Sequence, residues 1–204
     1  MKRIGVMGGT FNPIHIGHLM LAECARDEFS LDQIWLIPTA CSYMKKQEDI
    51  LAPKERYHMA ELAVSDNEKM RCLDLEIRRG GYTYSYETME ELGKSFPETE
   101  FFFLVGADCL FSMESWKCPQ RLFQSCQIIA AVREDADMGK MEAKKQELSK
   151  AFGARIHLFA FRNIELSSTE IRERIRFGKS IRYLVPDRVI SYIEEKGFYK
   201  NEGN

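Results

Sequence analysis

Two histidines follow a pair of glycines in the segment GGTFNPIHIGH, which spans residues 8–18. His15 and His18 are three positions apart, so a first helical turn would carry both imidazoles on one face. The glycines let a ligand approach the backbone closely. A helix that begins near residues 14–16 directs free N–H groups and the positive end of its dipole to the same place. The pattern therefore predicts a phosphate site with two imidazole donors.

Two other interpretations of these histidines stay open on the residues alone. They could be structural histidines beside an ordinary tight turn, or they could bind zinc as an i, i+3 pair. A zinc site needs further ligands, and no Cys, His or carboxylate lies at an obvious ligand spacing. The chain has four histidines, of which two lie in this segment, and this concentration favours the phosphate hypothesis.

A second group of anion-binding residues occurs in SSTEIR, residues 167–172. Ser167, Ser168 and Thr169 open a predicted helix, and Arg172 lies one turn into it. Hydroxyls, backbone N–H groups and a guanidinium together suit a polyphosphate. Taken alone, an ordinary N-cap followed by a solvated arginine explains the same residues, so the prediction depends on both segments facing one ligand.

Two familiar phosphate-binding motifs are excluded by spacing. The glycines at 5, 8 and 9 do not form G-x-G-x-x-G, the dinucleotide fingerprint. FGKS, residues 177–180, ends like a Walker A loop, but the first glycine of that loop would stand at position 173, which is Glu173. We therefore interpret Gly178 as the end of a helix.

Apolar runs alternate with helical patterns and predict the elements that position both segments. Strands are predicted at 2–7, 33–38, 71–77, 101–108, 127–132 and 155–161, and helices at 16–29, 53–66, 84–96, 167–178 and 186–197. Charged stretches at 40–51 and 133–145 are predicted to be connections, the first a mobile loop. Such alternation favours an α/β fold with an open, mostly parallel sheet and helices on both faces. Ligands bind beyond the carboxyl ends of such strands, here residues 8–18, 38–46, 106–108 and 133.

The bulk composition limits the classes of partner. The chain has 204 residues, 45% of them hydrophobic, and a net charge of −2 from 29 basic and 31 acidic residues. This balance disfavours nucleic acid and anionic membranes as partners. No apolar run approaches the roughly 20 residues that span a bilayer, and we expect no export signal and a cytoplasmic location. The six cysteines form no C-x-x-C pair and are predicted to be buried free thiols.

The two segments together resemble the paired signatures of the nucleotidylyltransferase superfamily, (H/T)xGH and (I/L)SSTxIR. With FLVGAD at 103–108, the Trp116 segment and LVPDRVISYIEEKGFY at 184–199, the chain resembles the bacterial nicotinate mononucleotide adenylyltransferases over essentially its whole length. The resemblance implies a Rossmann-like sheet in a single domain, 1–204, with a small helical C-terminal subregion from about 163. It also implies direct transfer of AMP from ATP to nicotinate mononucleotide, with Mg²⁺ carried by the ATP phosphates.

The resemblance implies roles for individual residues. Those expected to be catalytic are His15, His18 and Arg172. Those expected on the ATP side are Gly8, Gly9, Thr10, Phe11, His15, His18, Gly106, Asp108, Arg133, Ser168, Thr169 and Arg172. Those expected on the acceptor side are Lys45, Tyr84, Ser85 and Trp116.

Three places depart from the family pattern, and the choice of acceptor stays open. Asn12 stands where Asp is common, Ser85 stands where Thr is usual, and residues 42–44 replace Pro-Pro-His before Lys45. The residues themselves do not choose between a nicotinate carboxylate and a nicotinamide; the resemblance implies nicotinate. The alternatives are an adenylyltransferase for nicotinamide mononucleotide or another phosphate acceptor, such as phosphopantetheine, and a non-catalytic nucleotide-binding relative. The oligomeric state, a homo-oligomer included, is equally open.

Overall fold

A single open sheet of six strands organises the chain in the computed structural model, which describes residues 1–41, 50–132, 137–161 and 165–200. The strands are β1 (Lys2–Gly9), β2 (Gln33–Pro38), β3 (Met70–Cys72), β4 (Thr99–Gly106), β5 (Gln127–Val132) and β6 (Ile156–Ala160). The helices are α1 (Ile16–Glu28), α2 (Pro53–Val64), α3 (Leu75–Arg79), α4 (Ser85–Ser95), α5 (Ala107–Leu110), α6 (Pro119–Ser125), α7 (Met138–Phe152), α8 (Ser168–Arg176) and α9 (Asp187–Lys196), with a 3-10 turn at Met113–Ser115.

The sheet has the order β3-β2-β1-β4-β5-β6, and each of its strand pairings is parallel. Val6 of β1, for example, pairs with Trp35 of β2 on one side and with Phe103 of β4 on the other. This is the doubly wound order, which reverses direction between β1 and β4. The predicted Rossmann-like α/β fold is therefore confirmed. Its extent as one domain over 1–204 stays a prediction.

Two hydrophobic cores cover the two faces of the sheet. Along β4, Phe102 and Leu104 belong to one core, with α1, α2, α8 and α9, whereas Phe101, Phe103 and Val105 belong to the other, with α4, α6 and α7. Successive strand side chains point to opposite faces, so a continuous apolar run such as FFFLV fits only a strand that is buried on both.

The predicted strand at 71–77 was wrong beyond its first residues. β3 ends at Cys72, and α3 begins at Leu75. The helical turn brings two side chains three positions apart to one partner, Thr88. The Thr88 hydroxyl donates a hydrogen bond to Glu76 Oε1 at 2.7 Å, and Thr88 Oγ1 accepts one from Arg79 Nη2 at 2.8 Å. This buried polar contact with α4 overrides the alternating pattern.

The interpretation of 133–145 as a connection was also wrong, because α7 begins at Met138. Asp137 caps this helix through a hydrogen bond from the Lys140 N–H at 3.1 Å. Its buried face carries Met141, Lys144 and Leu148, and the lysine in that stripe hid the helical period. Lys144 is buried because its ammonium binds Glu114 at 2.8 Å.

All six cysteines are free, as predicted, but Cys126 alone among them is buried and Cys24 is exposed. Helix α6 was absent from the predicted elements. No helix in the described ranges is long and apolar enough to cross a membrane. The predicted loop at 40–51 lies mainly outside the described residues, which resume at Ile50.

Candidate active site

A large cavity opens at the carboxyl ends of β1, β4 and β5, at the point where the strand order reverses. Its volume is about 1020 Å³. The predicted residues that line it are Gly9, Thr10, Phe11, His15, His18, Gly106, Asp108, Ser168, Thr169 and Arg172. The structure thus brings most of the residues expected on the ATP side to one place, including residues of both segments that are predicted to bind phosphate.

The turn after β1 is shaped by the contact between Gly9 and Phe11. Phe11 has a positive φ of 48°, and its buried ring folds back over the strand end. A Cβ at Gly9 would lie 2.8 Å from that ring, so a side chain at position 9 would displace it. The Phe11 ring then contacts His18 edge-on, with 5.1 Å between centroids. A glycine fits here because the Phe11 ring lies too close to the Cβ position to admit a side chain without moving.

The two histidines lie side by side at the start of α1. His15 is extended (φ −146°, ψ 169°) and precedes the first helical residue, Ile16, so it lies just before the turn that was predicted to carry it. The imidazole rings stack with centroids 3.7 Å apart. The His15 N–H donates to His18 Nδ1 at 3.3 Å, and in a neutral His18 the proton therefore resides on Nε2, which is the donor nitrogen.

His15 is poised to stay neutral in the free protein. Its side chain is buried, and this burial lowers its pKa from 6.5 to about 4. A neutral imidazole still donates one hydrogen bond to a phosphate oxygen. It also places no positive charge against the stacked His18 ring.

We expect the stability of the protein to fall on acidification partly because of His15. The folded pKa is lower than the unfolded value, so between pH 6.5 and 4 the unfolded chain takes up a proton that folded His15 refuses, and the contribution is complete above pH 6.5. At pH 4.5 the free energy of unfolding is lower than at pH 7 by about 2 to 3 kcal/mol on account of His15. Urea unfolding at pH 7 and pH 4.5 should show a smaller loss for His15→Gln than for the wild type; equal losses would contradict the assignment.

The second segment docks directly onto the first. Ser167 caps α8 by accepting a hydrogen bond from the Glu170 N–H at 3.1 Å. The Ser168 hydroxyl then donates to the Pro13 carbonyl at 2.8 Å, and Arg172 Nη1 donates to the Asn12 carbonyl at 2.9 Å. These contacts join residues 155 or more positions apart in the chain. They place the guanidinium beside the loop that leads to the histidines.

Arg172 retains donor capacity toward the cavity. Its Nη2 contacts Thr169 Oγ1 at 3.3 Å, and its Nε is buried without a hydrogen-bond partner in the described part of the chain. An unpaired buried N–H of a charged group is costly. An anionic ligand in the cavity would satisfy it.

Asn12 connects the loop to two other parts of the fold. Its side chain is buried, and Oδ1 accepts hydrogen bonds from the Leu51 N–H at 3.2 Å and from the Tyr199 hydroxyl at 2.9 Å. Burial raises the pKa of Tyr199, so this phenol remains a donor. The amide oxygen of Asn12 accepts both hydrogen bonds. Asn in place of the more common Asp therefore keeps the acceptor that these two donors need.

Near Gly106 and Asp108, the structure adds cavity-lining residues that the sequence patterns did not indicate. Gly106 and Asp108 line the cavity as predicted, and beside them lie Phe111, Asp137 and Lys140. The last two belong to the start of α7, which the sequence patterns did not reveal. An N-cap aspartate before a helical period with one lysine in it was the available signal. Arg133, also predicted here, lies outside the described residues.

Three of the residues expected on the acceptor side belong to the described part of the chain, Tyr84, Ser85 and Trp116, and they do not line the same cavity. Trp116 Nε1 donates to the Ser112 hydroxyl at 3.2 Å, and its ring meets Phe103 edge-on at 6.5 Å. A Cβ at Gly8 would lie 3.6 Å from that Phe103 ring, so Gly8 of β1 and Trp116 both lie next to Phe103.

Tyr84 lies on the same side of the sheet as Trp116. It precedes α4, which begins at Ser85, and stacks on Tyr86 at 6.0 Å. Tyr84 and Trp116 both pack against the core that contains Phe103. Lys45, the fourth acceptor residue, lies outside the described residues, as do positions 42–44.

The donor set of the cavity does not build a metal cage. No group of three His, Cys, Asp or Glu side chains within the described residues could hold a metal ion. Asp137 is engaged as a helix cap and pairs with Lys140 at 3.4 Å. The residues present fit a divalent cation that arrives with a polyphosphate better than one bound by the protein alone.

The sequence matches one family model and many curated proteins. The model described as cytidylyltransferase-like matches residues 6–174. A protein of Lachnoclostridium phytofermentans named "Probable nicotinate-nucleotide adenylyltransferase" is 43% identical over 98% of this chain and 100% of its own length. A protein of Desulfitobacterium hafniense with the same name is 40% identical over 98% of this chain and 96% of its own.

Solved structures agree on the fold. The nicotinic acid mononucleotide adenylyltransferase of Plasmodium falciparum, complexed with NaAD, superposes with a TM-score of 0.78 over 98% of both chains at 20% identity. The same enzyme complexed with APC gives a TM-score of 0.76 over 98% of both chains at 19% identity. At this identity the match concerns the architecture and not the site.

Proposed function

This chain belongs to the cytidylyltransferase-like family, among the nicotinate-nucleotide adenylyltransferases, and from this premise we infer that it transfers the adenylyl group of ATP to nicotinate mononucleotide. The products are nicotinate adenine dinucleotide and pyrophosphate, in the biosynthesis of NAD. The observation that carries the site assignment is the docking of α8 onto the Asn12–Pro13 loop, which places Arg172 and the two histidines in one cavity.

The chemistry that this cavity supports is direct in-line transfer. The phosphate of the acceptor is already anionic, so the protein has to align it and neutralise charge rather than supply a nucleophile. The N-terminus of α1, His15 and His18 are assigned to the α-phosphate, where their N–H groups stabilise the charge that develops on its oxygens. A preorganised donor of this kind contributes on the order of 3 kcal/mol.

The leaving pyrophosphate is assigned to the N-terminus of α8. Ser168, Thr169 and Arg172 surround that end of the cavity, and the unpaired Nε of Arg172 supports this placement. A divalent cation, which we propose is Mg²⁺, neutralises the phosphates when it is bound with ATP. The residues of this chain then orient the phosphates, because a guanidinium fork and helix N–H groups fix their direction.

The acceptor is assigned to the region of Tyr84, Ser85 and Trp116. The rings of Tyr84 and Trp116 are half-buried, so each has exposed aromatic surface that a pyridine ring could contact. In in-line transfer, the acceptor phosphate attacks the α-phosphorus on the side opposite to the departing pyrophosphate, so the acceptor and the N-terminus of α8 are assigned to different sides of the α-phosphate.

We expect pyrophosphate release from ATP when nicotinate mononucleotide is supplied, with kcat/KM about 10- to 100-fold higher than with nicotinamide mononucleotide. One hydrogen bond to a charged group, absent from the amide, accounts for a difference of this size. A coupled pyrophosphate assay with both mononucleotides side by side measures it. Absence of turnover with either of them, together with clear activity on phosphopantetheine, would refute the proposed acceptor.

A further inference from the structure

Arg56 is a buried charge outside the cavity. It lies on the buried face of α2 with Met59 and Ala60 and is 1% exposed. Its guanidinium contacts backbone carbonyls, and no carboxylate lies within ion-pair distance among the described residues. Burying a charge without a counter-ion is unfavourable, so its four carbonyl partners must account for its presence.

Those carbonyls come from three separate backbone segments. Arg56 Nη1 donates to Thr10 at 2.7 Å, Nη2 donates to Thr39 at 2.6 Å and to Ala40 at 3.0 Å, and Nε donates to Leu51 at 2.9 Å. Four of the five guanidinium N–H groups are used in this way. One side chain therefore connects three places: Thr10 after β1, Thr39 and Ala40 after β2, and Leu51 just before α2.

Each of these segments leads directly to the proposed active site. Thr10 precedes Phe11, whose ring contacts His18. Leu51 also donates its N–H to Asn12 Oδ1, and the Asn12 carbonyl accepts the bond from Arg172. Thr39 and Ala40 lead into the stretch that contains Lys45, and Leu51 follows its end. Arg56 thus connects the α-phosphate side, the pyrophosphate side and both flanks of residues 42–49.

We propose that Arg56 is a positioning residue for adenylyl transfer, which holds the backbone of residues 10–12 in place relative to that of residues 39–41 and 50–51. The proposal depends on the function inferred above. Arg56 does not line the cavity. Its substitution therefore removes none of the groups that contact substrate, but it shifts their positions relative to one another. A displacement of about 1 Å is enough to slow an aligned reaction roughly 10²-fold.

The test compares Arg56→Lys and Arg56→Gln with the wild type. Lysine keeps the charge but has three donors on one atom and no planar fork, so it cannot reach four carbonyls. We expect kcat to fall about 10- to 100-fold in Arg56→Lys, with KM for ATP and for nicotinate mononucleotide changing less than about 3-fold. A larger fall in kcat is expected for Arg56→Gln.

A matched control separates positioning from general destabilisation. Arg3 also donates from Nη1 to a backbone carbonyl, that of Phe29 at 2.7 Å, but at the opposite end of β1. We expect Arg3→Lys to retain wild-type kcat. The folded fraction of each variant is measured by the stoichiometry of ATP binding, and rates are expressed per binding site. An unchanged kcat in Arg56→Lys, or a loss that vanishes after this correction, would overturn the proposal.

Hydrogen exchange gives a readout that does not require turnover. In Arg56→Lys without substrate, we expect faster amide exchange confined to residues 10–12, 39–41 and 50–51. A uniform increase in the exchange rate across the whole sheet would show that Arg56 contributes to global stability, and it would overturn the proposal. If the wild type itself makes no dinucleotide, the function inferred above fails, and the exchange data still report whether Arg56 fixes these loops.

Discussion

His18→Ala is expected to lower kcat for adenylyl transfer by about 10²- to 10³-fold while the protein remains folded. The His18 Nε2–H is assigned as a donor to the α-phosphate, and removal of one preorganised donor has this effect. The side chain is half-buried at the surface of the cavity, so its truncation removes little packing. Steady-state pyrophosphate release and thermal unfolding measure the two quantities.

Two further substitutions at this position separate the roles of the ring nitrogens. Asparagine can accept the His15 N–H as Nδ1 does, whereas glutamine reaches approximately to the position of Nε2. We therefore expect His18→Gln to retain more activity than His18→Asn. His58→Ala is the matched control, since His58 lies on α2 beside Glu61 and Tyr192 and does not line the cavity. Unchanged turnover in His18→Ala would refute the catalytic assignment.

Arg172→Gln is expected to lower kcat/KM for ATP by about 10²- to 10³-fold and to weaken pyrophosphate binding. The guanidinium is assigned to the leaving group, whose charge grows as the bond to the α-phosphate breaks, so the loss exceeds that of a ground-state contact. The kcat/KM of Arg172→Lys for ATP should lie between those of the wild type and Arg172→Gln, because lysine keeps the positive charge but lacks the planar guanidinium. Product inhibition by pyrophosphate measures the binding, and KM for nicotinate mononucleotide should change little.

The same helix offers a control for Arg172. Arg174 lies two residues further along α8, donates to the Ser180 carbonyl at 2.9 Å and does not line the cavity. Arg174→Gln should leave pyrophosphate inhibition unchanged. Equal effects of the two substitutions would show that α8 contributes through stability or general charge rather than through a leaving-group contact at Arg172.

The local features of the phosphate site follow from the sequence. The spacing of His15 and His18, the glycines before them and the hydroxyls that open α8 are properties of contiguous segments, and each specifies its own turn or helix end through local hydrogen bonds and backbone sterics. The parallel sheet follows equally from the alternation of apolar runs and helical patterns. These features lie within a few residues of each other, where periodicity and capping are informative.

Where a polar side chain shares a buried face, the sequence misled. Lys144 interrupted the apolar stripe of α7, and Glu76 fitted the alternation of a strand although it lies in α3. Each is buried by a specific partner, Glu114 and Thr88 respectively. Such partners are distant in sequence. Arg56 was not predicted for a related reason. Its spacing of three and four from Met59 and Ala60 places it on the buried face of α2, but arginine is usually a surface residue.

The tertiary structure alone decided which groups share one ligand. Ser168 and Arg172 reach Pro13 and Asn12 across more than 150 residues, whereas Trp116 packs against Phe103 and does not line the cavity. Hydrophobic periodicity states which face of a helix is buried but not which carbonyls its long side chains will meet, because that depends on strand order and on the packing of helices over the sheet. Two short segments of the sequence therefore supply the groups of the proposed phosphate site, and the fold brings these groups together in one cavity.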